Sequence, residues 1–378
     1  MSAVRDRLRN APLPGEAEAA ARSWPVVEAA LAEREPGHGA RGATAHPRRL
    51  ALRLALVAAL IAVGLAVALT PAGAWIGDRF ESEPERTTPA FAGLPEGGSV
   101  LAMSRSGAYA VSPEGDTQWL GPFTSAGWSP HGLHVVGVDG RRLVAVDPQG
   151  VIKWTRARPS RVHHPAWSTR DGFAVAYLEG SALRVIAGDG KPATDRLLRR
   201  RAAPVTPAWH PHSDRVLTYA TAGGAIETLD VTTGSALWHA PVEAIRLGWS
   251  RSGDRVAALS SRSVTVLDRG GRVLRTVALP GVPRDWALHP SGDRAAVVVG
   301  RAVLDVPLDG SKPRRLFEGS VDGLAWSQDG RRLLLGSRSA DEWLLLGPGA
   351  RIRALDGVSR ELGSAGGFPR VSGWCCQG

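Results

Sequence analysis

The sequence predicts an all-β fold of repeated four-stranded sheets closed into a ring, and three observations carry that reading. One strand-turn-strand unit is rewritten along the chain: Leu247-Gly-Trp-Ser-Arg-Ser-Gly-Asp-Arg-Val256 has counterparts at Gly127–Gly132, Ala166–Gly172, Ala208–Arg215, Leu288–Arg294 and Ala325–Arg331. Its anchor residues, Trp128, Trp167, Trp209, Trp249, Leu288 and Trp326, are spaced 39, 42, 40, 39 and 38 residues apart, the period of propeller blades. Finally, Val100–Met103, Ala108–Val111 and Thr117–Leu120 read as the later strands of a blade without a first, while Pro369–Trp374 reads as a first strand with nothing after it. Joining them gives a seventh, composite blade and a seven-bladed β-propeller without exposed sheet edges. The interval from Trp326 to Trp374 is longer, at 48 residues, so six blades with an extra C-terminal segment is the alternative.

In chain order, residues 1–47 are polar and broken by prolines, with an Ala- and Glu-rich stretch from Glu16 to Glu35 in which Trp24, Val27 and Leu31 form one narrow apolar stripe. A short amphipathic helix is expected there, too small to fold by itself. Residues 48–76 read as a transmembrane helix: the run from Leu54 to Ile76 carries no charge, and as helix it spans about 35 Å against a hydrocarbon core of about 30 Å. Arg41, Arg48, Arg49 and Arg53 precede it, and Asp78, Glu81, Glu83 and Glu85 follow. The positive-inside rule then puts the N-terminus in the cytosol. A cleaved signal peptide is disfavoured because its n-region would be far too long. Residues 77–97 read as an extracytoplasmic linker, and 98–378 as the propeller.

Within a blade, Trp and apolar neighbours suit a buried strand, and Ser-Gly-Asp or Gln-Asp-Gly supplies the tight turn. Each Trp can bury roughly 150–250 Å², worth about 4–6 kcal/mol gross at roughly 25 cal/mol/Å². A lone blade has nothing to cover both faces, so the repeats are expected to stand or fall together. Where the anchor is Leu288, Trp286 lies two residues earlier and on the same strand face.

The Trp-Ser-x-x-Gly-x-Arg turns resemble those of TolB-type, WD-repeat-like bacterial propellers over roughly residues 98–376. Asp147-Pro-Gln-Gly-Val-Ile-Lys-Trp154 and the one-residue-longer Asp230-Val-Thr-Thr-Gly-Ser-Ala-Leu-Trp238 are similar to the docking segments of quinoprotein-like propellers. The resemblance implies that an outer-strand Trp packs between blades. The layout of cytosolic segment, membrane helix and outer propeller also resembles sigma-factor-associated membrane proteins of actinobacteria, although the zinc anti-sigma motif His-x-x-x-Cys-x-x-Cys is missing from residues 1–47.

A net charge of +10 does not point to nucleic acid, because the arginines are scattered and no aromatic stripe interleaves with them. No catalytic constellation is legible, and neither cofactor nor metal is expected. Gly188-Asp-Gly-Lys191 reads as a hairpin turn. His210 and His212 read as solvated turn residues. Cys375 and Cys376 read as two small buried side chains, with a vicinal disulfide as the alternative. Residues just before each first strand should ring one mouth of the channel, and this polar, mixed-charge ring is the candidate binding site: His163, His164, Thr206, Arg246, Arg284, Asp285, Asp322 and Arg370. The expected function is a membrane-anchored, extracytoplasmic module that binds or senses a protein or small ligand at that mouth, with a cytosolic regulator at the N-terminal segment. Alternatives are a propeller enzyme of the quinoprotein dehydrogenase or lactonase type, or a structural envelope component.

Overall fold

The computed structural model describes residues 98–348, 351–363 and 367–376, together with Phe91 and Leu94. The predicted N-terminal helix, the span 48–76 and most of the linker lie outside the described residues. Among the described residues no helix is long and apolar enough to cross a membrane.

Twenty-eight strands among the described residues form seven four-stranded antiparallel sheets. Blade 1 is composite: Arg370–Cys375 pairs with Ser99–Ser104, which pairs in turn with Gly107–Val111 and Thr117–Gly121. The other first strands are Ser125–Trp128, Val162–Trp167, Ala208–Trp209, Arg246–Trp249, Pro283–Leu288 and Leu324–Trp326, in blades 2 to 7. Each first strand contacts the first strands of both neighbouring blades, and the terminal one touches those of blades 7 and 2. The ring is therefore closed with seven blades, and the six-bladed alternative is excluded. The longer last interval holds a short helix, Val358–Glu361, whose Val358 is buried between blades 7 and 1.

The core is divided into seven apolar clusters, and each lies between two adjacent blades. Between blades 2 and 3, for example, Val136, Val138 and Leu143 meet Trp167, Val175 and Tyr177. Three anchor indoles also reach the preceding blade by hydrogen bond: Trp209 Nε1 donates to Ala166 O (3.0 Å), Trp326 Nε1 to Ala287 O (3.1 Å) and Trp249 Nε1 to Thr218 Oγ1 (3.1 Å). Trp286 and Leu288 pack on one cluster while Ala287 packs on the next, as strand alternation requires. Phe91 and Leu94, read as linker, are buried with blades 7 and 1, and Phe91 lies 4.9 Å from the fully buried Trp343.

Candidate functional site

The residues leading into the first strands do gather at one end of the channel, but they divide by direction. His163 Nε2 pairs with Gly180 O (2.8 Å), Arg284 Nη2 donates to Gly300 O (2.6 Å), and Arg338 Nε donates to Asp322 Oδ2 (2.6 Å). These three partners are hairpin turns of the same blades, so His163, Arg284 and Asp322 belong to the rim. His164 instead reaches the next blade, its Nδ1 lying 3.1 Å from Thr206 Oγ1. Its φ of 54° is a left-handed conformation uncommon outside glycine and explains the change of direction.

His164, Arg246, Asp285 and Arg370 form an electrostatic group. Burial lowers the His164 imidazole to about 4, and the neighbouring His163 and Arg246 act in the same direction. The imidazole is therefore neutral at physiological pH. Burial raises the Asp285 carboxyl, opposed by the backbone N–H of Trp286 (2.9 Å) and by Arg370 and Arg246, while Asp322 adds to the rise. Ser125 Oγ, three residues before the blade 2 anchor, is buried with no protein hydrogen-bond partner. The mouth thus presents a neutral imidazole, two guanidiniums, a half-buried carboxyl and two hydroxyls, a set that hydrogen-bonds polar groups of either sign. Among the described residues no three His, Cys, Asp or Glu come together as a metal site.

Inside the opposite end, a cavity of about 640 Å³ is walled by Leu247, Trp286, Leu324, Trp326 and Trp374. Arg251 Nη1 donates across that end to Gln328 O (3.1 Å). His212 and His131 stand in its turns. His210 departs from the solvated role expected of it: its ring packs edge-on to Trp249 at 4.7 Å and against Gly253 of the next blade. Cys375 and Cys376 are joined as a vicinal disulfide rather than standing as separate thiols, and they lie against the Ser129–Gly132 turn of blade 2.

Neither a protein-family model nor a curated protein matches the chain. Solved structures do. The β-propeller domain of Myceliophteria thermophila Cps50 (Swd1) is similar with a TM-score of 0.50 and 16% identity, over 62% of this chain and 86% of that one. A chain of the mitotic checkpoint complex gives a TM-score of 0.50 and 16% identity, over 61% and 76%. The likeness is one of fold. This chain carries a seven-bladed β-propeller. Sequence reasoning located its mouth residues by counting back from the anchors. It could not separate rim from channel, because that depends on one left-handed residue and on which hairpin each side chain meets.

Proposed function

We propose that the propeller is a binding module whose partner, a protein or a small ligand, docks at the mouth formed by His164, Thr206, Arg246, Asp285 and Arg370. The observation that supports this reading most is Asp285: a carboxyl raised by burial, facing two arginines at the open end of a rigid ring. Polar groups held unsatisfied or desolvated on a scaffold are where recognition concentrates. The similarity to a chain found in a multiprotein complex favours a protein partner. In the full reading the propeller is anchored by residues 48–76, lies outside the cytosol, and passes binding to the segment 1–47.

The test compares full-length protein with the Arg246→Glu, Asp285→Asn double variant in affinity capture, with melting curves as the folding control. The proposal expects a partner recovered by the parent and lost by the variant at an unchanged melting midpoint. Identical recoveries contradict it. A melting shift of the parent on adding calcium and a quinone would favour the enzymatic alternative instead. Protease added to intact cells should remove the propeller while sparing residues 1–47, and protection of the propeller would contradict the orientation.

A further inference from the structure

The geometry points to a small-molecule site inside the opposite end of the channel: the indole-lined cavity there takes a carboxylic acid with an aromatic body, its carboxylate held by Arg251. The cavity measures about 640 Å³, within the roughly 300–1,000 Å³ of pockets that enclose small ligands. Its walls divide into an apolar part, supplied by first strands, and a polar end, supplied by the turns that follow them.

Trp326 and Trp374 are the anchors of blades 7 and 1, and Trp286 precedes the blade 6 anchor by two residues. Each packs on an inter-blade cluster, yet all three are only half-buried and line the cavity together with Leu247 and Leu324. Trp286 lies over Gly248 of the blade 5 first strand, where an added Cβ would be 3.7 Å from its ring and 3.1 Å from Leu288. The glycine thus leaves room for the displaced indole. Its N–H makes no hydrogen bond among the described residues, whereas those of Trp209, Trp249 and Trp326 do. Uncovered indole surface is matched by a flat aromatic ring, which gains offset or edge-on contacts beyond its burial.

Charge selects the rest of the occupant, and one repeated position sets it. Two residues beyond the anchors stand Pro130, Thr169, Pro211, Arg251, Pro290 and Gln328, and all six line the cavity. Arg251 alone among them is charged. Its backbone N–H donates to Pro290 O in the turn of blade 6 (2.9 Å), and its Nη1 to Gln328 O in the turn of blade 7 (3.1 Å). The side chain therefore passes the blade 6 turn and lies across this end of the channel. That bond occupies one of five guanidinium donors. Among the described residues no carboxylate pairs with Arg251, and none lines the cavity. The other ionisable side chains in the wall, His131 and His212, carry no negative charge. A ligand carboxylate fits the vacant guanidinium fork, whereas a ligand ammonium would meet no anion.

The experiment is isothermal titration calorimetry on the full-length protein in detergent, with naphthaleneacetate and its uncharged amide as probes. The acid should bind saturably, and about tenfold or more tightly than the amide. Arg251→Gln should remove that preference, weakening the acid about tenfold and leaving the amide where it was. Ser372 is exposed on the closing strand and forms part of the cavity wall, so a larger side chain there fills the cavity without entering the core. Ser372→Phe should weaken acid and amide alike, with melting curves as the folding control. If that variant does not fold, the acid-against-amide comparison in the parent and in Arg251→Gln decides alone. No saturable binding of the acid to the parent, equal affinity for acid and amide, a preference that survives in Arg251→Gln, or undiminished binding by a folded Ser372→Phe variant overturns the inference.

Discussion

His164 shows how much one residue decides. Its left-handed backbone turns the imidazole from its own blade toward Thr206 of the next, and burial holds its folded-state value at about 4 against an ordinary 6.5. The unfolded chain therefore binds a proton here first as pH falls. Stability from this group is complete above about pH 6.5 and is lost progressively down to about 4. Thermal midpoints measured across that window should fall less steeply in His164→Asn, whose side chain tolerates the same backbone, than in the parent; parallel curves contradict the assignment. Asp195 is a second single point of dependence. Its carboxylate, 5% exposed, accepts from Tyr177 Oη (2.7 Å), Arg158 Nη1 (2.7 Å) and Arg184 Nε (2.9 Å). Asp195→Ala leaves Arg158 and Arg184 with Glu179 alone and the Tyr177 hydroxyl without its acceptor, and should cost about 1–3 kcal/mol in urea unfolding. Neither role was legible beforehand, because nothing local in Val-His-His-Pro or Thr-Asp-Arg tells which neighbouring blade the side chain meets.

At the scale of strands and turns, much more was legible. All seven anchors fall in first strands, six of them as the last residue, because a large side chain there has one place to go, the wedge between blades. The docking tryptophans were also readable, through the resemblance of Asp147–Trp154 and Asp230–Trp238 to the docking segments of quinoprotein-like propellers. The helix Val358–Glu361 and the buried Trp343 were not, since four helical residues and one Trp inside Glu-Trp-Leu-Leu-Leu carry no period of their own. The docking contact makes a sharp expectation at Gly271. Its φ is 86°, and a Cβ there would lie 2.6 Å from the Trp238 ring. Gly271→Ala should destabilise by about 1–3 kcal/mol and shift the emission of Trp238 toward the solvent-exposed position; Gly300→Ala, also at positive φ but with open space at the Cβ, should cost less and leave the emission unchanged. Equal effects would mean that the backbone angle alone, not the docking, is responsible.

For the whole molecule the decisive feature is closure. Seven inter-blade clusters make each blade a wall for its neighbours, so cooperativity runs around the ring. The strand Arg370–Cys375 is bonded to Ser99–Ser104 and stands beside blades 7 and 2, and it hides both edges that an open array would leave. The odd strand phase at residue 99 and the orphan strand at the C-terminus made this legible, whereas the division of the channel mouth into rim and channel residues depends on close contacts that no spacing encodes. Hydrogen exchange resolved by mass spectrometry tests the closure most directly. Amides of Arg370–Cys375 and Ser99–Ser104 should be protected to the same degree as central strands such as Val256–Leu259, and should open with them in one global event. A terminal strand that exchanges within seconds while those central strands stay protected would contradict the closed ring.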